Sequence, residues 1–392
     1  MKKYFSLENL IYATIFLLPI YLVKVKIFDL PTNILEVLII IVCVWFILKR
    51  SFGSFLKPSF RMTIGLIFIG LLASTLVNKN YAVSFGIIKG WFVLPFLFAL
   101  VVKNVISTEK RFNAYKVFYF SALVVAILSL GYYFFGLITF DGRLQGIFNS
   151  PNYLAMYLSS AIIIAAAKFQ ISNFKFQIKS KMLNFENSLY FLSAIVILTV
   201  FYLTYSYTAW MAVIMALIIL WLIKKDKQIN FKEISFAIIL LLIIVLSQWN
   251  TSKFSNLKNF SEHSSVRSRI MIWQATGEII KDNWFWGIGP GNFQNKYLEY
   301  QKHFPLYLEW AVPHPHNLFL SFWLQAGLMG LIGFVSLIIV WLKNVFEGKE
   351  RDIIWFMSLG IMLYFIGHGL ADTTYFKNDL AVIFWLNLLL IL

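Results

Sequence analysis

The stretch VPHPHNLFLSFWLQAGLMGLIGF, from Val312 to Phe334, changes character once along its length. It begins with two histidines and two prolines and continues as an apolar run with glycines at positions 327, 330 and 333. Proline suits the first position of a helix, because its missing N–H would have no partner there. We therefore predict a long apolar helix that starts at Pro315 and carries His316 and Asn317 in its first turn.

The local sequence around His316 supports two interpretations. A histidine held at a membrane surface can act as a general base that removes the proton of a sugar hydroxyl. It can equally be an interfacial polar residue beside glycines whose role is to let helices pack closely. The rest of the chain has to decide between the two.

The composition is that of a membrane protein. Of the 392 residues, 60% are hydrophobic and 18% are aromatic, while only 13% are charged. A spanning helix needs about 20 apolar residues, so we predict an all-α polytopic membrane protein with about 12 transmembrane helices, forming a single integral membrane domain over residues 1–392. The apolar runs lie at about 7–23, 31–48, 62–77, 81–102, 113–137, 153–167, 189–204, 208–223, 233–249, 314–342, 353–371 and 377–392.

The distribution of lysine and arginine predicts the orientation. With the N-terminus in the cytoplasm, the inner segments carry 21 Lys and Arg, whereas the short outer loops carry five. Positive residues favour the cytoplasmic side, so we predict that both termini are cytoplasmic and that the first helix is not cleaved. The net charge of +16 then reports topology, and we expect no nucleic-acid partner.

One predicted outer loop is long and covers residues 250–313, between helices 9 and 10. Loops of this length usually have their own structure or a function. Within it, Ser264 to Lys281 has the periodicity of an amphipathic helix. Its predicted apolar stripe is Val266, Ile270, Trp273, Gly277 and Ile280. Its predicted polar stripe is Arg267, Gln274, Glu278 and Lys281.

Several charged residues are candidates for a binding site. Arg269 falls on the margin of that apolar stripe, where an arginine either reaches to the rim or points into a site. Arg143 is the cation of a short outer loop. Lys89 lies in the middle of an apolar run, which makes it a functional candidate, although it could instead form a structural pair with a buried acid such as Glu36.

Two further observations concern polar residues at helix ends. His368 and Asp372 are four residues apart and could share a helix face; they would then line an outer cavity or mark the helix end. Ser150 or Asn152 is predicted to cap the helix of the sixth apolar run.

A metal site is not expected. His303, His314 and His316 could be considered as zinc ligands, but no fourth ligand is evident and Cys43 lies inside an apolar run. Structural zinc sites use four ligands, and a lone cysteine allows no disulfide within the chain. We predict that the protein needs neither a metal nor a cofactor.

Three motifs occur in an order that is known from one family. His316-Asn317 is followed after nine residues by Gly327-x-x-Gly330, and Arg269-x-x-x-Trp273 is followed by a glycine-rich turn at 287–293. Upstream, GRLQGIFNSPNYLA starts at residue 142 and has the form Arg…Phe-x-x-Pro-Asn-x-x-Ala. Over roughly residues 140–375 the chain resembles the O-antigen ligase and polymerase superfamily of bacterial membrane glycosyltransferases.

The chain departs from the family pattern at two positions. The family often has a serine–arginine pair where this chain has Ser206 and Tyr207, and an acid where Gln325 stands. The family's arginine is thought to help hold a pyrophosphate, so its absence bears on how the donor is bound.

The resemblance implies transfer of a glycan from an undecaprenyl-pyrophosphate-linked donor to an acceptor hydroxyl at the outer face of the bacterial cytoplasmic membrane. The acceptor is lipid A core in lipopolysaccharide ligases, a glycan in polymerases and a protein in related oligosaccharyltransferases, and the sequence leaves these open. His316 is the expected base. The expected substrate-binding residues are Arg269, Arg143, Arg267, Lys89, Asn317 and His368.

The competing class is a transporter of lipid-linked glycans. Such proteins are commonly built from inverted repeats with paired broken helices. The two halves of this sequence do not resemble each other, which favours an enzyme.

Overall fold

The computed structural model describes residues 6–27, 30–49, 56–171, 185–223, 246–249, 251, 254–255, 265–304, 312–348 and 351–392. These residues contain 14 α-helices and one small antiparallel hairpin. The helices are α1 Leu7–Phe16, α2 Ile34–Leu48, α3 Pro58–Asn78, α4 Tyr81–Ile87, α5 Leu94–Val105, α6 Arg111–Phe134, α7 Pro151–Ile171, α8 Phe185–Leu203, α9 Tyr207–Ile223, α10 Ser265–Asn283, α11 Phe293–Tyr300, α12 Leu318–Glu347, α13 Ile353–Gly369 and α14 Asn378–Leu390. The hairpin pairs β1 Lys24–Ile27 with β2 Leu30–Asn33.

The helices confirm a multi-pass membrane protein. Five helical segments are long and apolar enough to cross a bilayer, namely α3, the continuous segment Tyr81–Val105, the segment Thr108–Phe134, α7 and α12. Every apolar run read from the sequence contains a helix, except the ninth run, which lies almost entirely outside the described residues. The number of about 12 spans and the orientation remain predictions.

Glycines bring α3 and α12 into close contact. A Cβ on Gly333 would lie 2.9 Å from backbone atoms of Thr63 and Ile67, and one on Gly70 would lie 2.7 Å from the Gly330 nitrogen. Small residues let helix backbones approach where the surrounding lipid offers no hydrophobic driving force. These glycines therefore serve helix packing, as one of the two interpretations of the 312–334 stretch expected.

Gly327 interrupts α12 with a non-helical backbone, φ 66° and ψ −172°. The turn that follows α10 docks at this interruption. Leu324 O accepts hydrogen bonds from the N–H groups of Ile288 and Gly289 at 2.7 and 3.2 Å, and the N–H of Leu328 donates to Phe285 O at 2.9 Å. Backbone groups freed by the break in α12 are thus satisfied by the turn.

The amphipathic helix predicted in the long loop forms as α10, and Trp273 and Ile280 of its predicted apolar stripe pack on a buried cluster, but the stripe is wrong at one position. Ile270 of that stripe is 42% exposed. The buried face consists of Ser268, Ile272, Ala275, Thr276 and Ile279. The physical reason is the partner surface, because α10 packs on Ile288, Phe293 and Tyr297 through Ile272, Ala275 and Ile279. The four members of the predicted polar stripe are exposed, as expected.

Candidate functional site

The segment before α12 differs from its prediction by a few residues. The side chain of Asn317 caps the helix, accepting the N–H groups of Phe319 and Leu320 at 3.0 Å each. The helix therefore begins at Leu318, and neither His316 nor Asn317 lies in its first turn. An asparagine is a strong N-cap, and here it takes precedence over the preference of Pro315 for a first helical position.

His316 lies just outside the helix in an unusual backbone conformation. Its φ is +46°, in the left-handed region that non-glycine residues seldom occupy. Its Nδ1 donates a hydrogen bond to Oδ1 of Asp372 at 3.0 Å. The contact holds one ring nitrogen, so Nε2 is the nitrogen that remains for other partners.

Asp372 lies in the turn after α13, and its side chain is 2% exposed. Its N–H donates to the carbonyl of His368, the ordinary hydrogen bond of a helix end. The two residues consequently do not share a helix face, because α13 ends at Gly369 before Asp372 is reached.

The second oxygen of Asp372 has two partners of its own. Asn152 Nδ2 donates to Oδ2 at 3.0 Å, and Arg269 Nη2 lies 3.5 Å from it. Burial by itself would raise the pKa of Asp372. The electrostatic interaction and hydrogen bond with His316, and the electrostatic interaction with Arg269, hold this pKa well below its usual value. Asp372 is therefore a buried carboxylate that lies between the imidazole of His316 and the guanidinium of Arg269.

Asn152 joins Arg143 to Asp372. Its Oδ1 accepts a hydrogen bond from Arg143 Nη2 at 2.6 Å and one from Ser206 Oγ at 3.2 Å. The capping role falls to Ser150, whose Oγ accepts the Asn152 N–H at 3.2 Å. The Asn152 side chain is thereby available to the site, a role that was missed in the sequence because capping explained it.

Arg269 enters the site from α10. Its side chain is 12% exposed, and its Nε is buried without a hydrogen-bond partner among the described residues. On the same helix, Trp273 Nε1 donates to Pro315 O at 2.9 Å and so fastens α10 to the segment that carries His316. An arginine with an unused buried donor can still bind an anion.

His314 lies beside His316, with ring centroids 4.5 Å apart. Its Nε2 is 2.9 Å from the Tyr153 hydroxyl, while its Nδ1 is buried and has no partner in the described part of the chain. Burial, followed by the charge of His316, lowers the pKa of His314 to about 3. The ring is therefore neutral and keeps one lone pair.

Lys89 and Arg267 are placed away from these contacts. Lys89 forms an ion pair of 2.8 Å with Glu36 and donates to Pro31 O at 3.1 Å, which is the structural pair considered from the sequence. Arg267 is exposed on the outward face of α10. The site thus receives Arg269 from this helix but not Arg267.

His368 and Asn317 form hydrogen bonds with other parts of the protein. His368 is 1% exposed, and its two ring nitrogens lie 2.7 Å from the Tyr364 hydroxyl and 3.2 Å from the Thr208 hydroxyl. The Asn317 amide donates to Leu370 O at 2.9 Å in addition to its capping role. Their side-chain polar groups are already satisfied within the protein.

Two groups of the site suit acid–base and anion chemistry. A carboxylate fixed to one imidazole nitrogen orients the ring and stabilises its protonated form, as in catalytic triads. A neighbouring arginine can stabilise the charge that develops on a leaving group. One ligand atom each from His314, His316 and Asp372 also lies within 4.8 Å of the others, an arrangement that could hold a metal ion.

The family described as O-antigen ligase matches residues 192–335. The match contains His316, Asn317 and Arg269 and ends before Asp372. No curated protein matches the chain.

Proposed function

We propose that the chain transfers a glycan from an undecaprenyl-pyrophosphate-linked donor to an acceptor hydroxyl. It carries an O-antigen ligase family domain at residues 192–335, and this family implies glycan transfer of the ligase or polymerase type. We place the reaction at the outer face of the bacterial cytoplasmic membrane. The observation that carries the proposal is the 3.0 Å contact of His316 Nδ1 with the buried Asp372 carboxylate. It gives the family histidine the orientation that a general base requires.

His316 is the proposed base. Its Nε2 takes the proton of the acceptor hydroxyl while the hydroxyl oxygen forms a bond to the anomeric carbon of the donor sugar. The bond from that carbon to the pyrophosphate oxygen breaks, and its electron pair leaves with undecaprenyl pyrophosphate. Asp372 stabilises the imidazolium that forms, because its carboxylate accepts the hydrogen bond of the opposite ring nitrogen, Nδ1.

Arg269 is the proposed partner of the leaving pyrophosphate. It offers a buried Nε that lacks a partner in the described residues, so it can donate to a phosphate oxygen without leaving Asp372. Arg143 is the second cation proposed for the pyrophosphate, because Asn152 connects it to Asp372 through hydrogen bonds. Its Nε donates to Thr204 O at 2.8 Å, so it lies against the turn in which Tyr207 replaces the family's arginine. No metal takes part in these steps.

The proposal is tested with the purified full-length protein in lipid nanodiscs. A lipid-linked glycan donor and candidate acceptors are supplied, and free undecaprenyl pyrophosphate and the elongated acceptor are measured. We expect both products to appear together in equal amounts. Movement of intact donor across the membrane without release of undecaprenyl pyrophosphate would support a transporter and contradict the proposal.

The acceptor class is tested by deleting the gene in its host and analysing the lipid-linked material. Long glycan chains on the lipid are expected for a ligase. Single repeat units would instead indicate a polymerase, and complete oligosaccharides together with an unmodified protein acceptor would indicate a protein oligosaccharyltransferase.

A further inference from the structure

The proposed base and two neighbouring side chains together have the composition of a zinc site. His314, His316 and Asp372 each offer a ligand atom, and these atoms lie within 4.8 Å of one another. Histidine nitrogens and carboxylate oxygens are ordinary zinc ligands, and three protein ligands with one open position are typical of accessible zinc sites. Two of these residues are 58 and 56 positions before the third, so sequence spacing gave no sign of the group.

His314 is the part of this group that the proposed reaction leaves unexplained. Its Nδ1 is buried without a partner in the described residues, and its Nε2 lies 2.9 Å from the Tyr153 hydroxyl. In metal sites, a ligating histidine almost always gives its other ring nitrogen to a hydrogen-bond partner. The Tyr153 hydroxyl can accept a hydrogen bond from Nε2–H of His314, and in that tautomer the lone pair lies on Nδ1.

Asp372 is held in a comparable way. Asn152 and Arg269 occupy its Oδ2 at 3.0 and 3.5 Å, so the oxygen that faces His316 is Oδ1. Supporting hydrogen bonds of this kind orient a carboxylate ligand. A set of two imidazoles and one carboxylate favours Zn²⁺ over Mg²⁺ or Ca²⁺, which prefer all-oxygen sites.

We propose that His314, His316 and Asp372 form an inhibitory Zn²⁺ site. The inhibition rests on the proposed function, because zinc acts on the proposed base. A zinc ion bound to Nδ1 of His316 takes the place of the proton on that nitrogen, and the single N–H proton of the neutral ring moves to Nε2. The nitrogen that faces the acceptor has no lone pair, so proton removal stops until the metal leaves.

The metal site is tested first without donor or acceptor. The full-length protein, purified through a tag that contains no histidine, is treated with EDTA, desalted and dialysed against ZnCl₂. Bound metal is then measured by elemental analysis. We expect one zinc per chain, and we expect His314→Ala to lose it. Tyr153→Phe should bind zinc about 10–100-fold more weakly, the loss typical of an outer hydrogen-bond partner.

His303→Ala is the matched control, because His303 was the third histidine considered as a zinc ligand from the sequence but does not belong to this group. It should bind zinc as the wild type does. Glycan transfer is then measured for each protein with and without ZnCl₂, each against its own zinc-free rate. Zinc should inhibit the wild type and His303→Ala, and EDTA should restore them, whereas His314→Ala should be insensitive.

The two proposals fail in different ways. If the wild type transfers glycan but binds no zinc, or if His314→Ala binds zinc as tightly as the wild type, the zinc site is overturned and the proposed function stands. If the wild type binds zinc through His314 but releases no undecaprenyl pyrophosphate from any donor, the metal site stands and the proposed function fails.

Discussion

At the scale of single residues, His314 and His316 show what the sequence could not distinguish. They are two positions apart in a run of alternating histidines and prolines, and only the fold gives one of them a carboxylate. The family motif points to His316, and this histidine lies 3.0 Å from the carboxylate of Asp372. Asp372 could not be assigned to it, because a contact between residues 56 positions apart depends on how α12 and α13 pack.

We expect His316→Ala to lower the transfer rate by about 10²–10⁴-fold, the usual contribution of a general base. His314→Ala should lower it far less, because His314 does not contact the proposed reacting atoms. The measurement is the rate of transfer from a purified lipid-linked donor, with donor binding measured separately. Equal losses in the two variants would end the general-base proposal.

Asp372→Asn should lower kcat by roughly the same factor, since an amide can no longer stabilise the protonated imidazole. Residues that act as a unit show losses that do not add. The double variant His316→Ala/Asp372→Asn should therefore be no slower than His316→Ala alone. Additive losses in this cycle would show that Asp372 acts independently of His316.

Arg269→Ala should abolish measurable transfer and weaken donor binding, because it removes the cation proposed for the pyrophosphate. Arg267→Ala is the matched control, two residues away on the exposed face of the same helix. It should retain most of the activity. Both variants are compared at equal membrane insertion, and similar losses would contradict the placement of Arg269 in the site.

At the scale of the elements, periodicity located helices better than faces. Apolar runs predicted the five described helical segments that are long and apolar enough to cross a bilayer, because a helix in a bilayer must be apolar over its whole length. Ile270 was misassigned to the buried face of α10, because this helix packs on a turn and on α11 through Ile272, Ala275 and Ile279. The interruption at Gly327 was equally invisible, because Gly-x-x-Gly reads as a helix-packing motif.

Gly327→Ala should destabilise the protein strongly. Its φ and ψ lie in a region that is essentially restricted to glycine, and an added Cβ would lie 2.9 Å from the Trp286 carbonyl oxygen. Gly136→Ala is the control, because its φ is +71° but nothing lies within 4 Å of an added Cβ. We expect the control to lose about 1–2 kcal/mol of unfolding free energy and Gly327→Ala to lose more. Thermal unfolding in detergent measures both losses. A smaller loss for Gly327→Ala than for the control would contradict this account.

At the scale of the whole molecule, the distribution of charge carries the orientation prediction. The positive-inside rule places 250–313 outside and 168–188 inside. In a Cys43→Ser background, Asn256→Cys should react with an impermeant thiol reagent on intact spheroplasts, and Ser180→Cys should not. Inverted labelling would move the proposed reaction to the cytoplasmic face.

The docking of the 284–292 turn into the interruption of α12 has a mechanical consequence. Two backbone hydrogen bonds join Leu324, before the break in α12, to the turn and through it to α10, and a third joins Leu328, just after Gly327, to the same turn. His316 and Arg269 therefore lie on segments that the turn holds together. Any opening of the site for a bulky lipid must move these segments as one rigid unit. In hydrogen–deuterium exchange, the amides of Ile288, Gly289 and Leu328 should then share one common opening free energy.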